Sequence, residues 1–457
     1  MRRSRLDGQS YDVIVCGGGS AGLAAAVASA RLGAPTLLLE RCGFCGGTTA
    51  AAMVHSLDAV KSCRDPATQV VRGIAADLIA ELAAIGGLAA DDNPPETLVV
   101  HPEYLKVAAD RLLRRAGVHV LYHAPVVDAV TEGRRLRGVE AALRDGRARF
   151  SARVAVDATG DADLAYFAGV PLRIDPELQA LTLWFRLGDV AGDDDWRTLE
   201  EACRSALHEA HVQGKVEIFG GPWVIRLACG EVTLNCTRVY GNPVDPLELS
   251  AAEIEAREQM MLLFHALRRR VPQLASSRIL CAGSQLHIRE SRKVIGEYVL
   301  DERDVLDGAR FEDAVAVGAW PIDIHSTNRF VGVHPHKESP PEPYEIPYRC
   351  LIPLELDNLL VAGKPISTTH RAHGSTRVQG TSLATGQAAG VAAALAAKLN
   401  VRPRNLDPQL VRAELLRQGA VITAGATAEL VGSLPRQSRS TTSSTQATER
   451  ERACEQP

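Results

Sequence analysis

The chain has 457 residues, of which 46% are hydrophobic and 23% are charged, and its formal net charge is −4. This composition is ordinary for a globular protein. The length is sufficient for two or three domains. The slightly negative charge, with no basic stripe interleaved with aromatic residues, argues against a nucleic-acid partner. The apolar run 21–30 is too short and too rich in alanine to cross a membrane, so no membrane association is expected.

The ten cysteines show no regular framework spacing. Such usage is typical of a reducing compartment in which most thiols stay unpaired. A cytoplasmic location is therefore expected.

Residues 11–40 combine a strand, a glycine-rich turn, an Ala-rich helix over 20–32 and a second strand closed by Glu40. The turn reads Gly17-Gly18-Gly19-Ser20-Ala21-Gly22. Gly17 permits the tight turn, Gly19 lets the backbone approach a pyrophosphate, and Gly22 lets the helix pack against the strand. The diphosphate then meets the N–H groups at the start of the helix. Glu40 is positioned to accept the ribose hydroxyls, so this stretch predicts a dinucleotide-binding βαβ unit.

A second glycine-rich loop, Arg41–Thr49, follows Glu40 and is expected to return to the same ligand. It contains Cys42 and Cys45, spaced as C-x-x-C. Two interpretations stay open: a dithiol that exchanges electrons with the cofactor, or two small buried residues in a tight loop. The second is favoured. No second ligand pair with zinc-finger spacing accompanies Cys42 and Cys45, and no metal is expected.

Helices are predicted over 69–85 and 102–116, and short strands over 118–122 and 126–130. A hairpin then runs through 134–150, and a buried strand over 154–160 enters the turn Thr159-Gly160-Asp161. These segments form the first part of the nucleotide-binding domain, residues 1–170.

From about residue 171 the pattern changes to alternating strands over 181–187, 215–219, 223–228 and 232–237. A long helix is predicted over 250–271, with Ser250 and Glu253 as a capping box. We expect residues 171–344 to form an inserted substrate or cap domain of the α+β type with an antiparallel sheet.

The nucleotide-binding pattern resumes over residues 345–432. A buried strand over 358–363 leads to a helix of small residues over 379–399, entered through Gly380-Thr381-Ser382. The expected fold is α/β, with a discontinuous Rossmann-like domain built from both ends of the chain. Residues 433–457 are rich in Ser, Thr, Arg and Glu and are expected to be a disordered tail.

Taken together these motifs resemble the FAD-dependent oxidoreductases of the glutathione-reductase structural group. The resemblance also rests on Arg289–Gly296 and on Ile346-Pro347-Tyr348-Arg349, and it implies FAD as cofactor. The residues expected to bind FAD are Gly17, Gly19, Ser20, Ala21, Gly22, Glu40, Arg41, Gly46, Gly47, Thr48, Val127, Thr159, Gly160, Asp161, Gly363, Gly380, Thr381 and Ser382. Many related flavoproteins carry an Asp after the glycine of the last strand, whereas here Lys364 follows Gly363.

His325 and His373 are the candidate bases, since histidine titrates near neutrality. Arg289 and Arg377 are candidate clamps for an anionic group. The leading hypothesis is hydride transfer from a small anionic substrate to flavin N5, with oxygen or an unknown acceptor reoxidising the flavin. No second GxGxxG unit lies between residues 170 and 345.

Two alternatives stay open. One is a monooxygenase or reductase supplied with electrons by NAD(P)H or by a partner reductase. The other is a non-catalytic flavin-binding subunit. The sequence does not predict the substrate, the electron acceptor or the oligomeric state.

Overall fold

The computed structural model describes residues 2–89, 93–192, 195–227, 230–325, 331–332 and 341–425. The predicted tail, residues 433–457, lies outside this part of the chain. The helices are α1 (Ser20–Arg31), α2 (Gly47–Ala51), α3 (Ile74–Ala84), α4 (Pro102–Ala116), α5 (Asp163–Phe167), α6 (Trp196–Val212), α7 (Pro246–Arg270), α8 (Glu302–Leu306), α9 (His370–Thr376), α10 (Gln379–Leu399) and α11 (Pro408–Arg417). The strands are β1 (Ser10–Cys16), β2 (Thr36–Leu39), β3 (Ser56–Leu57), β4 (Leu98–Val99), β5 (His119–Leu121), β6 (Val126–Glu132), β7 (Arg135–Leu143), β8 (Gly146–Asp157), β9 (Leu172–Arg173), β10 (Phe185–Gly188), β11 (Phe219–Gly220), β12 (Trp223–Arg226), β13 (Val232–Asn235), β14 (Arg278–Ala282), β15 (Lys293–Val294), β16 (Ala314–Gly318), β17 (Val331–Gly332), β18 (Tyr344–Pro347) and β19 (Leu359–Val361).

The main sheet carries five parallel strands in the order β5-β2-β1-β8-β19. The first half of β8 also continues an antiparallel meander with β7 and β6. Val13, Ile14 and Val15 are fully buried in the middle of this sheet, as expected for parallel strands covered on both faces. The second half of the nucleotide-binding pattern therefore joins the first through β19, which confirms the predicted discontinuous α/β domain.

Helices α1 and α10 pack against each other at backbone distance over one face of the main sheet. A Cβ atom added at Gly386 would lie 2.1 Å from the carbonyl oxygen of Ala21, and one at Gly390 would lie 2.1 Å from that of Ala25. Only glycine permits this approach, since a side chain at either position would collide with backbone. The small residues of the predicted helix over 379–399 thus hold the two nucleotide-binding segments together.

The inserted region forms its own antiparallel sheet in the order β12-β13-β10-β14. Helices α6 and α7 cover this sheet, and the shared core runs from Leu181 to Leu286. Residues of the segment 300–352, among them Leu300, Val315 and Ile346, are buried instead in the core of the main domain. The chain thus returns to the main domain near residue 300, earlier than the boundary expected at residue 344.

Some predicted boundaries agree with the structure and others do not: the helix predicted over 69–85 begins at Ile74, and the strands predicted over 181–187 and 215–219 begin at Phe185 and Phe219. Helices α4 and α10 begin and end at the predicted residues, and Gly117 ends α4 in the left-handed conformation with φ of 77°. Helix α7 begins at Pro246, four residues before the prediction, because Asp245 caps its first turn. The Ser250 hydroxyl donates instead to the carbonyl of Pro246, so the predicted capping box is wrong.

None of the helices in the described part of the chain has the length and apolar character to cross a membrane. Within the described residues, free thiols are present at Cys16, Cys42, Cys45, Cys203, Cys236, Cys281 and Cys350, in line with the expectation that most thiols stay unpaired.

Candidate functional site

A deep cleft opens where four parallel strands of the main sheet end. The segments directly after β1, β2, β8 and β19 all contribute to its walls, as does the start of α10. We call it the main cleft, and it is lined by Gly17, Gly19, Ser20, Ala21, Glu40, Arg41, Cys42, Phe44, Gly47, Thr48, Ala51, Val54, Asp58, Ala158, Thr159, Gly160, Asp161, Gln285, Leu286, His287, Ile288, Arg289, Ala362, Gly363, Lys364, Arg377, Val378, Gln379 and Ser382. Ligands of open α/β sheets bind at this edge, beyond the carboxyl ends of the strands.

The three glycines of the first turn play the parts that their spacing predicts. Gly17 has a φ of 95°, and a Cβ atom there would lie 2.4 Å from the carbonyl oxygen of Ala158. A Cβ atom at Gly22 would lie 1.7 Å from the carbonyl oxygen of Gly17, so this glycine serves packing. At Gly19 the nearest atom would be 3.7 Å away. The space beside Gly19 therefore stays open to a ligand.

Two helices without side-chain caps begin at the main cleft. Helix α1 follows Gly19 and α10 follows Val378, and neither N-cap residue accepts a hydrogen bond through its side chain. The first N–H groups of a helix have no partner within it, and the helix dipole places partial positive charge there. Both helix ends can therefore donate to anionic groups of a ligand.

Glu40 is buried at the end of β2 and lines the main cleft. Its Oε2 accepts from the Gly18 amide at 2.5 Å and its Oε1 accepts from the Cys42 amide at 2.6 Å. The carboxylate therefore ties the two glycine-rich loops together. Each carboxylate oxygen can accept further hydrogen bonds, so its predicted role toward ribose hydroxyls fits this position.

Lys364 takes the place at which many related flavoproteins carry an acidic residue. Its Nζ lies 3.1 Å from Oδ1 of Asp161 and 2.8 Å from the carbonyl oxygen of Ile288. Ser291 donates to the same Asp161 oxygen at 2.5 Å. Burial opposes ionisation of Asp161, but Lys364 and this hydroxyl lower its pKa. Asp161 thus supplies a carboxylate to the main cleft beside Lys364.

Most residues predicted to bind the cofactor line the main cleft. Five of the predicted residues lie outside its walls: Gly22, Gly46, Val127, Gly380 and Thr381. Val127 belongs to the meander strand β6. Gly380 donates its amide to the carbonyl of Asp58. A direct contact between these five residues and FAD stays a prediction.

A second cleft continues from the first, between the main domain and the inserted sheet. It is lined by Val54, Ser56, Asp58, Pro94, Glu96, Thr97, Trp184, Trp196, Glu200, Trp223, Val224, Ile225, Asn235, His287, Arg289, Trp320, Asp323, His325 and Arg377. Five of these residues also line the main cleft: Val54, Asp58, His287, Arg289 and Arg377. We call the position of these five the junction.

The two predicted anion clamps, Arg289 and Arg377, both lie at the junction. Arg289 is 1% exposed, and one of its terminal nitrogens donates to the carbonyl of Ala180 at 2.8 Å and to the hydroxyl of Thr182 at 3.1 Å. Burial, followed by the charges of Arg238 and Arg377, lowers the pKa of Arg289 well below its ordinary value. A buried guanidinium without a carboxylate is costly. An anion at the junction would relieve this cost.

His325, one of the two predicted bases, lines the second cleft but has both ring nitrogens engaged. Its Nδ1 accepts from Arg238 at 3.0 Å, and its Nε2 lies 3.3 Å from Oδ2 of Asp323. The same carboxylate oxygen accepts from Arg377 at 3.1 Å. Burial and the charge of Arg289 lower the pKa of His325 well below its ordinary value, although Asp323 opposes this. A neutral His325 therefore helps to hold the cluster in place.

His373, the other predicted base, is fully buried and lies outside both clefts. Its Nε2 bonds to the carbonyl oxygen of Arg289 at 3.0 Å, and burial lowers its pKa to about 3. The hydrogen bond implies that Nε2 carries the proton. His373 accordingly positions the backbone of Arg289, and the structure does not place it where a base would meet a substrate.

The sequence analysis missed three junction residues, Val54, Asp58 and His287, of which His287 is the candidate base. The sequence around His287 contains no recognisable motif. The backbone of His287 pairs with that of Thr182. Its Nδ1 is buried and has no hydrogen-bond partner within the described part of the chain. Burial, together with the charges of Arg289 and Arg377, lowers the pKa of His287 well below its ordinary value. The junction thus holds a neutral imidazole, one nitrogen of which has no hydrogen-bond partner among the described residues.

Asp175, Glu290 and His370 offer ligand atoms within 4.8 Å of one another and are the described group that could hold a metal ion. However, Nζ of the fully buried Lys293 lies 2.6 Å from Oδ2 of Asp175 and also bonds to Glu290. His370 completes the network through Glu290, at 3.0 Å. A lysine ammonium therefore already occupies the centre of this acidic group, and we assign it a structural role.

Cys42 and Cys45 lie beside the main cleft as two separate thiols. Burial raises the pKa of Cys45 to about 12, and burial and Glu40 raise the pKa of Cys42. Thiolates are the reactive form of cysteine. Both thiols are therefore held in the unreactive form at neutral pH, in agreement with the favoured interpretation.

The main cleft fits FAD. The open space at Gly19 and the uncapped helix α1 suit a pyrophosphate. Glu40 suits a ribose, and the start of α10 brings a second positive dipole end to the cleft. The residues that would hold the cofactor thus come from both ends of the chain.

Comparison with known proteins agrees with this fit. The family model described as FAD dependent oxidoreductase matches residues 12–415. A geranylgeranyl bacteriochlorophyll reductase-like protein from Thermoplasma acidophilum has a similar structure, with 14% identity and a TM-score of 0.50 over 93% of this chain and 91% of that chain. A myxobacterial chondrochloren halogenase is 16% identical, with a TM-score of 0.47 over 90% of this chain and 79% of that chain. For p-nitrophenol 4-monooxygenase from Pseudomonas putida the identity is 13% and the TM-score 0.43, over 98% and 93% of the two chains.

Proposed function

Because this chain belongs to the FAD-dependent oxidoreductase family, we propose that it oxidises a small organic anion bound where its two clefts meet. The observation that carries the proposal is the set of residues common to both clefts. His287, Arg289 and Arg377 line the cleft that fits FAD and also the cleft beyond it. A substrate in the second cleft would thus reach the cofactor beside one neutral base and two cations.

The arginines would hold the anionic group of the substrate. Arg289 has no ion-pair partner among the residues that the structure describes, whereas Arg377 is paired with Asp323. A charge-assisted hydrogen bond to a buried guanidinium is about twice as strong as a neutral one. Arg289 is therefore the primary clamp, and Arg377, fixed by Asp323, supports it.

Oxidation removes a hydride from the substrate carbon and a proton from the attached oxygen or nitrogen, leaving a C=O or C=N bond. When bound, FAD supplies the two-electron acceptor for that hydride, with oxygen or another compound as the final oxidant. His287 would take the proton. Binding of an anion at Arg289 would offset one of the charges that lower the pKa of His287, so the substrate itself would strengthen the base.

Rapid mixing of the FAD-loaded protein with candidate substrates in the absence of oxygen tests this proposal. Panels of hydroxy acids and amino acids should contain a compound that bleaches the visible flavin band. His287→Gln should slow bleaching by that compound roughly 10²–10⁴-fold. His265→Gln, at an exposed position on α7, is the matched control and should leave the rate unchanged.

Bleaching by NAD(P)H, with none by any organic substrate, would contradict the proposal. That result would favour the monooxygenase or reductase alternative.

A further inference from the structure

The second cleft holds every tryptophan of the protein. The chain has four tryptophans among 457 residues, and Trp184, Trp196, Trp223 and Trp320 all line this one cleft. They come from separate segments: before β10, at the start of α6, in β12 and after β16. Aromatic residues make up only 4% of the chain. Their concentration at one site therefore needs a reason beyond ordinary packing.

Resting on the proposed function, we propose that the second cleft binds an aromatic organic anion, with its ring among the four tryptophans and its anionic group at Arg289. Flat aromatic side chains favour flat aromatic partners in offset or edge-to-face arrangements. The ring of Trp223 already packs edge-on against that of His325, with centroids 5.6 Å apart. A ligand ring would extend this arrangement.

Unused polar atoms in the same walls also point to a ligand. Nε1 of Trp184 and Oδ1 of Asn235 are buried and have no hydrogen-bond partner within the described residues. Trp184 is 5% exposed and Asn235 is 4% exposed. Buried polar groups are normally satisfied, so a polar substituent on the ring would find both a donor and an acceptor here.

Charge orients the ligand along the cleft. Around His325, Asp323 is paired with Arg377, and the charge of the same carboxylate also acts on Arg238 and Arg289. Asp58 also lies at the junction, where its carboxylate accepts from the hydroxyls of Ser56 and Thr97.

The carboxylates of Glu96 and Glu200 line the cleft away from the junction. Glu200 is paired with Arg204 at 2.9 Å. An anionic group is therefore attracted to the arginines of the junction and repelled by Glu96, which directs the ring into the tryptophan walls.

Ligand binding to the FAD-loaded protein tests this inference without requiring turnover. The four probes are benzoate, cyclohexanecarboxylate, benzamide and acetate, and the readouts are tryptophan fluorescence and the visible flavin band. All tryptophan emission comes from the walls of the second cleft. We expect benzoate to bind at least about ten times more tightly than each of the other three probes.

The inference is overturned if benzamide or cyclohexanecarboxylate binds as tightly as benzoate, or if no probe binds at up to about 20 mM. In a second measurement, Trp223→Leu should weaken benzoate binding about tenfold. Trp223→Phe is the matched control and should weaken it less than about threefold. Equal loss in the two variants would show that the ring at this position does not contact the ligand.

The outcome is separable from that of the proposed function. Benzoate that binds as expected, in a protein whose flavin no organic anion bleaches, supports the ligand class and contradicts oxidation. Bleaching by an aliphatic acid, in a protein that binds aromatic probes no more tightly than the others, supports oxidation and contradicts the ligand class.

Discussion

Nζ of Lys364 lies 3.1 Å from Oδ1 of Asp161 within the cleft that fits FAD. Both side chains are 15% exposed, so the pair is largely removed from water. Removing one partner of such a pair leaves an uncompensated charge. Each of the two residues therefore compensates the buried charge of the other beside the cofactor.

Lys364→Met should lower the free energy of unfolding by about 3 kcal/mol, because the buried Asp161 loses its cation. It should also weaken FAD binding, since an unpaired carboxylate then faces an anionic cofactor. Lys364→Met combined with Asp161→Asn should recover most of both losses. Chemical denaturation and FAD release on dilution measure the two effects. Losses that simply add in the double variant would show that the pair is not coupled.

Substitutions at Gly19 and Gly22 should distinguish an effect on cofactor binding from an effect on folding. Gly19→Ala should leave the melting temperature of the apoprotein within a few degrees of wild type, because a Cβ atom there meets nothing closer than 3.7 Å. The same methyl group fills the space expected for the pyrophosphate, so FAD affinity should fall at least about tenfold. Gly22→Ala should instead destabilise the apoprotein, because its Cβ atom would lie 1.7 Å from the carbonyl oxygen of Gly17. An unchanged FAD affinity in Gly19→Ala would contradict the placement of the cofactor.

Acid should destabilise the protein through its buried neutral histidines. The pKa of His373 is lowered by burial from an ordinary value of 6.5 to about 3, so the unfolded chain binds a proton that the folded chain does not. Its contribution to the free energy of unfolding is complete above pH 6.5 and is lost as the pH falls toward 3. The expected slope is about 1.4 kcal/mol per pH unit for this one group.

His373→Gln keeps a donor for the carbonyl of Arg289. The substitution should lower the slope by about 1.4 kcal/mol per pH unit, which is the contribution of one proton. Urea denaturation at a series of pH values measures it. His265→Gln, at an exposed position, serves as control. A slope that does not change in His373→Gln would mean that this histidine is protonated in the folded protein.

The thiols of Cys42 and Cys45 should take no part in electron transfer. Anaerobic reductive titration of the FAD-loaded protein should therefore consume two electrons per FAD, the capacity of the flavin alone. Consumption of four electrons would reveal a redox-active pair of thiols. Cys45→Ala should not alter the titration, because burial already raises the pKa of that thiol to about 12.

The parts of the site that local sequence determines could be predicted. Gly17, Gly19 and Gly22 follow from the spacing that a tight turn and a close helix require, and helix α4 from Pro102 and Gly117 at its ends. His287 could not be predicted, because its position depends on a backbone pairing with Thr182, more than a hundred residues away. The tryptophan walls are likewise assembled only by the packing of distant segments.

The prediction for His373 shows a different limit. The sequence makes His373 a candidate base, and in the structure it lies with His370 on helix α9. However, His370 joins the Lys293 network through Glu290, while His373 is buried beneath the backbone of Arg289. Sequence spacing places a side chain on a helix, but burial decides whether it can meet a ligand.

A single anaerobic turnover tests the central claim most directly. One equivalent of a substrate that bleaches the flavin is mixed with the FAD-loaded protein, and the product is analysed by mass spectrometry. The account predicts one equivalent of product lacking two hydrogen atoms and carrying no added oxygen, for each FAD reduced. A flavin that stays oxidised until NAD(P)H is supplied, followed by a product that has gained an oxygen atom from O2, would contradict it.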